Sequence, residues 1–306
     1  MASREELGIA YSPSRFSHRY GPEEVVKLHV KTVTEGSKIA KETVEHEEGV
    51  VYGLSNNERL DIFAAQTLPG EAPIFVFIHG GYWQELGREM SSFMVPPIAS
   101  AGAVCITVGY NLAPQASMDE IVTQIWHAMV YIISLAKRRG SSGIYLCGHS
   151  AGAHLAALML AVDWMAECMS SNSLIKGAVL VSGIYDLRPL VNTYINDLIG
   201  MTEEDAWKNS PTQYLPKIIQ SSQNRKILVT FAEHDPPSFK EQSQQFYQVL
   251  AAGGVNASLT VVPDTDHFSV IENFQQDSYI LTMECRRLMG LNVDFVVQEM
   301  EKTGIT

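Results

Sequence analysis

From about Tyr52 onward the chain alternates short apolar runs with longer stretches in which apolar residues recur every three or four positions. The short runs are Arg59–Ala64, Ile74–Ile78, Val104–Val108, Gly143–Cys147, Ala178–Ser182, Ile227–Phe231 and Leu259–Val262. Near-continuous apolar runs of this length fit strands covered on both faces, as in a mostly parallel sheet. The intervening periodicity is helical, and one helix is marked at both ends. Ser117-Met118-Asp119-Glu120 has the spacing of a capping box, and Ile121, Ile125, Met129, Ile132 and Ile133 then form an apolar stripe. Lys137-Arg138-Arg139-Gly140 closes it with basic charge in the last turn and glycine just beyond. Strands and helices in alternation predict a three-layer α/β sandwich, with helices on both faces of the sheet.

Two segments depart from this rhythm. Pro22-Glu23-Glu24 starts a helix with proline and acidic charge in its first turn, and the pattern continues to about Glu45. Residues 1–50 therefore read as an N-terminal helical extension packed on the main body. Residues 184–225 are rich in Asp, Asn and Pro with short helical pieces such as Thr202–Lys208. That insertion either caps a site or makes a surface excursion. The whole chain, 1–306, is expected to be one domain.

Composition narrows the class. A formal charge of −12, from 22 basic and 34 acidic residues, argues against nucleic acid or an anionic membrane surface as partner. Cys105, Cys147, Cys168 and Cys285 show no C-x-x-C spacing, and two of them lie inside expected strands, which fits a reducing compartment. Met1-Ala2-Ser3-Arg4-Glu5-Glu6 is too acidic for a targeting peptide. The longest apolar stretch, Ala151 to Val162, is too short to span a bilayer. A soluble intracellular protein is expected.

The most informative residues are Gly148-His149-Ser150-Ala151-Gly152, which stand between an apolar run and an Ala/Leu-rich helical run. Gly-x-Ser-x-Gly between strand and helix is the nucleophile elbow of an α/β-hydrolase. Its glycines are needed because larger residues two positions from the serine would clash with neighbouring elements. A serine hydroxyl needs a base, and the base an orienting carboxylate, in the order Ser, Asp/Glu, His in this fold. Of nine histidines, His267 is best placed, in the loop Pro263-Asp264-Thr265-Asp266-His267-Phe268 after the last strand. His234 is its rival, but it lies where the acid is expected. Asp235, after Ile227–Phe231, is the favoured acid. Asp264 and Asp266 compete, yet Asp266 adjoins His267 on an extended loop and would struggle to meet its ring.

His79-Gly80-Gly81-Tyr82-Trp83 directly follows Ile74–Ile78, the place of an oxyanion-hole loop. The expected donors are the N–H groups of Gly81, Tyr82 and Ala151, with His79 holding the loop. Glu233, His234, Asp235, Asp264, Asp266 and His267 are rich in possible ligands but lack helical i, i+4 histidine spacing or any recognisable ligand pattern. With no P-loop or Gly-x-Gly-x-x-Gly either, neither metal nor cofactor is expected.

Taken together, His79–Trp83, Gly148–Leu155, Ser182-Gly183-Ile184-Tyr185-Asp186-Leu187 and Asp266-His267-Phe268 resemble the animal kynurenine formamidase (arylformamidase) family. The resemblance runs from Tyr11-Ser12-Pro13-Ser14-Arg15 to about residue 288; the first fifty residues and the tail after Leu291 match least clearly and are expected to carry none of the chemistry. It implies a cofactor-free hydrolysis of the small molecule N-formyl-L-kynurenine to L-kynurenine and formate in tryptophan breakdown. For the flat aromatic leaving group of that substrate, Tyr82 and Trp83 are the candidate ring contacts, though Trp83 could equally be a core anchor, and Tyr185 is a weaker candidate. The resemblance further implies a homodimer of the cytosol, with the nucleus as a second compartment, and a triad carried over onto Ser150, Asp235 and His267. Tyr110-Asn111-Leu112-Ala113-Pro114 also resembles a motif of the hormone-sensitive-lipase group, so a general carboxylesterase is the alternative. A catalytically silent hydrolase fold serving as a binding module is a third reading, weakened because all three triad members are present.

Overall fold

Eight strands form one sheet in the computed structural model, which describes residues 3–169 and 174–291. They are β1 (His46–Val51), β2 (Arg59–Phe63), β3 (Ile74–Ile78), β4 (Val104–Val108), β5 (Ile144–His149), β6 (Ile175–Val181), β7 (Lys226–Ala232) and β8 (Asn256–Val262). Their order is β1-β2-β4-β3-β5-β6-β7-β8; β2 runs antiparallel to both neighbours and every pair from β4 to β8 is parallel.

The central strands alternate sides as a period of two requires. Ile74, Val76 and Ile78 join a core with Ile121, Ile125, Leu155 and Phe246 from the helices Met118–Arg139, Ala151–Leu160 and Pro237–Ala252. Phe75 and Phe77 face the other way, onto Val33, Ala40, Ile98 and Leu281 from the helices Pro22–Thr43, Val95–Ser100 and Ile280–Leu288. Both faces are therefore dry, which is why these strands read as apolar runs and not as alternating ones.

Seven strands lie where the apolar runs predict them, with ends shifted by a few residues. The eighth, β1, falls where the N-terminal helix was expected to be ending. That helix stops at Thr43, and the Glu47 and Glu48 that resemble a charged helical tail lie exposed on an edge strand. Charge on an edge strand blocks further pairing and masks the strand signal. The helix Met118–Arg139 begins and ends as its caps predict: the Glu120 N–H donates to Ser117 Oγ, the Ser117 N–H donates to Glu120 Oε2, and Gly140 turns at φ 73°.

Because β4 and β5 flank β3, the chain leaves β3 toward one side of the sheet and later returns to the other. The loops after β3 and β5 thus meet at a switch point at the carboxyl ends of the strands, where open α/β sheets place ligands. No helix among the described residues is long and apolar enough to cross a membrane.

Candidate active site

At that switch point Ser150 directly follows β5 and precedes the helix Ala151–Leu160, with φ 55° and ψ −119°. A non-glycine residue there is strained, and the surroundings hold it in place. Its N–H donates to Val181 O at 2.8 Å, and its carbonyl accepts from the Ala153 and His154 N–H groups. The flanking glycines are obligatory on packing grounds: a Cβ on Gly148 would lie 2.2 Å from Gly152 O, and one on Gly152 would lie 2.0 Å from Ile78 O. The ten-residue helix beyond is buried throughout, so the turn has no room to relax.

His267, in the loop after β8, directs Nδ1 onto Asp235 Oδ1 at 2.6 Å, and Asp235, in the loop after β7, is buried. The second Asp235 oxygen accepts from Ser182 Oγ at 2.5 Å and from the Ala232 N–H at 2.8 Å. With Asp235 a carboxylate, Nδ1 must be the donor, which leaves His267 Nε2 as the acceptor. The ring is wedged against His149 at 4.6 Å and Phe239 at 4.9 Å between centroids. His149 is itself buried, with Nε2 against His267 O at 2.9 Å; burial first, and then the neighbouring His267 charge, push its pKa well below the usual histidine range.

Asp266 is fully engaged elsewhere. It accepts from Ser17 Oγ at 2.6 Å, from Arg19 Nε at 2.8 Å and from the Phe268 and Ser269 N–H groups. Burial alone would raise its pKa, but the hydrogen bonds from Arg19, Ser17 and Ser269, with the Arg19 charge, outweigh it and hold the carboxyl well below the usual carboxylate range. The exposed Asp264 points to solvent beside His18.

The His79–Trp83 loop packs directly on the elbow. A Cβ on Gly80 would lie 2.8 Å from His149 O and 3.1 Å from Ser150 Cβ, so only glycine permits this approach. Gly81, Tyr82 and Trp83 all have positive φ, at 93°, 51° and 59°. Among the described residues the N–H groups of Gly81, Tyr82 and Ala151 donate no hydrogen bond to the protein. His79 is buried, stacked on Tyr110 at 4.2 Å, with Nδ1 against Gly80 O at 2.9 Å and its pKa lowered to about 4 by burial. It braces the loop.

Two of the three aromatic candidates for substrate contact lie away from the cavity. Trp83 is fully buried, edge-on to His154 at 5.0 Å, and serves as the loop's core anchor. Tyr185 is buried flat on Phe246 at 4.1 Å, because its position just after β6 places it beneath the helix Pro237–Ala252. Tyr82 alone lines the cavity, with its hydroxyl donating to Tyr11 O at 2.6 Å.

The cavity, about 210 Å³, is bounded by Gly81, Tyr82, His149, Ser150, His267 and Phe268. Another wall comes from the N-terminal segment. Ser12, Pro13, Ser14, Val26, His29 and Val30 all belong to the first fifty residues, which therefore build part of the site. Arg19 bridges Asp266 and Glu272 at 2.8 and 2.9 Å, and His29 Nδ1 lies 3.0 Å from Glu272 Oε1, so the extension is latched to the loop that carries His267. One signal was available: His29 sits in the buried stripe Val25, His29, Val33, Ser37, Ala40, an unusual place for a polar ring. Tyr194 and Ile195, from the 184–225 segment, close another side. A larger groove of about 930 Å³, between Trp126, Met159 and Tyr214, touches none of these residues.

A strained serine on a strand–helix turn, a histidine–carboxylate pair and a glycine loop at one end of a parallel sheet define a serine-type α/β-hydrolase, and residues 75–271 match the model of the alpha/beta hydrolase fold family. Within that class, the chain is 42% identical to kynurenine formamidase of Salmo salar and 40% identical to that of Danio rerio, in each case over 94% of this chain and 97% of the other. It belongs to the kynurenine formamidase family. A thermostable carboxylesterase cloned from a metagenomic library shares the fold at a TM-score of 0.65 and 18% identity, covering 89% of this chain and 96% of that one.

Proposed function

We propose that this protein hydrolyses N-formyl-L-kynurenine to L-kynurenine and formate, with Ser150 as nucleophile, His267 as base and Asp235 as its orienting carboxylate. The observation that carries the chemistry is the Asp235–His267 bond opening onto the cavity that Ser150 and the Gly81–Tyr82 loop share. Ser150 Oγ attacks the formyl carbon as its proton passes to His267 Nε2. The tetrahedral oxyanion faces the N–H groups of Gly81, Tyr82 and Ala151, each typically worth about 3 kcal/mol to the transition state. The C–N bond then breaks as His267 returns the proton to the departing aryl amine, and water releases formate from the formyl-serine by the same route. Tyr82 and Phe268 offer aromatic surface to the leaving group, and the formyl hydrogen demands almost no acyl pocket.

The carboxylesterase alternative uses the same acyl-enzyme chemistry, so turnover decides. Wild type should cleave N-formylkynurenine efficiently, and Ser150→Ala should not. Efficient cleavage of a short aryl ester with formylkynurenine untouched would overturn the substrate; wild-type activity in Ser150→Ala would overturn the mechanism. The reading extends to a homodimer in the cytosol and nucleus, which sedimentation and cell fractionation check.

A further inference from the structure

Away from the cavity, His18, His234 and Asp264 present ligand atoms that all lie within 4.8 Å of one another. They come from three distant parts of the chain: the segment after the Pro13–Phe16 turn, the loop after β7 and the loop after β8. The two imidazoles are 4.1 Å apart between centroids, and His18 Nε2 is 3.7 Å from Asp264 Oδ1. Among the described residues, neither ring nor the Asp264 carboxylate makes a hydrogen bond to any other group, whereas the neighbouring Asp266 and Asp235 are saturated. The Asp264 N–H donates to Glu233 Oε2 at 2.8 Å, which fixes the backbone while its side chain stays 95% exposed.

We infer that His18, His234 and Asp264 form a surface site for one divalent transition-metal ion of the zinc class, which fastens the N-terminal segment to the two loops carrying Asp235 and His267. Two imidazole nitrogens and one carboxylate oxygen suit a borderline cation; calcium and magnesium prefer all-oxygen shells. Metal–ligand bonds of about 2.0–2.2 Å in a tetrahedron put donors roughly 3.3–3.6 Å apart, with water in the fourth position. Side-chain rotation of His18 and Asp264, both exposed, can supply that contraction. Separate segments supplied these ligands, so no spacing in the sequence could display them.

The placement gives the ion a structural consequence. Ser17 and Arg19, on either side of His18, already hold Asp266 from within. His234 adjoins Asp235, and Asp264 lies three residues before His267. Bound metal would add an outer clasp to this inner one, over the segment whose Ser12 and Ser14 wall the cavity.

The test is calorimetric titration of zinc chloride into the full chain, with Tm measured in parallel for wild type, His18→Gln and Asp264→Asn. Wild type should bind one equivalent with a rise in Tm. Each variant should lose at least the roughly 10–100-fold in affinity that removal of even a supporting partner of a metal ligand costs. Magnesium chloride should produce neither effect. Absence of a one-equivalent isotherm in wild type overturns the inference. So does unchanged zinc binding in both variants, which would place the ion on other donors such as the half-exposed Cys168.

Discussion

Replacing Asp235 by Asn separates the two roles a carboxylate plays at this site. Asp235 Oδ2 accepts from Ser182 Oγ and from the Ala232 N–H, so in the variant that position must be taken by the amide oxygen. The amide NH2 is then turned toward His267 Nδ1, where it too is a donor. To accept that bond His267 must move its proton to Nε2, the nitrogen that has to receive the Ser150 proton. The geometry survives and the base is disabled. Loss of the correct tautomer in a serine triad costs roughly 10⁴-fold in kcat, about 5.4 kcal/mol of transition-state free energy. Steady-state hydrolysis of N-formylkynurenine by Asp235→Asn should show that drop with Tm little changed. Asp266→Asn, whose carboxylate serves Arg19 and Ser17, should mainly lower Tm. If Asp235→Asn keeps activity within tenfold of wild type, or Asp266→Asn loses kcat equally at unchanged Tm, the assignment of the acid is wrong.

Two further outcomes follow from the packing and the electrostatics. Gly152→Ala would drive a Cβ to 2.0 Å from Ile78 O, in backbone pinned by β3, so the cost should reach or exceed the roughly 3 kcal/mol upper range of ordinary overpacking, read as a large fall in Tm or loss of soluble protein. The lowered Asp266 pKa makes a stabilising contribution that is fully present above the ordinary carboxylate value of about 4 and is lost as pH falls through that value toward the depressed one. Thermal melts of wild type should therefore steepen in their pH dependence below about pH 4, and Asp266→Asn should be less stable at neutral pH with a shallower acid slope; parallel slopes would refute it.

Much of the site was legible in the chain because its signals are local. Gly148, Ser150 and Gly152 sit on one tight turn, the His79–Trp83 loop follows its strand directly, and the Met118–Arg139 helix carries both caps within its own ends. Asp235 could be preferred to Asp266 from chain geometry alone, since adjacent side chains on an extended loop diverge. Strand β1 was hidden because an edge strand keeps its charges and makes no apolar run.

What the sequence by itself determined is the fold class, the elbow and the residues able to form a serine–histidine–aspartate set, each read from periodicity or spacing over a few residues. The tertiary structure alone decided which distant groups share a surface. It buried Trp83 and Tyr185, brought Ser12, Ser14 and His29 to the cavity, latched Arg19 to Asp266, and set His18 beside His234 and Asp264. Those contacts depend on how β3 and β5 part at the switch point and how the N-terminal segment folds back across their ends. Residues more than two hundred positions apart leave no period in the chain to record that meeting.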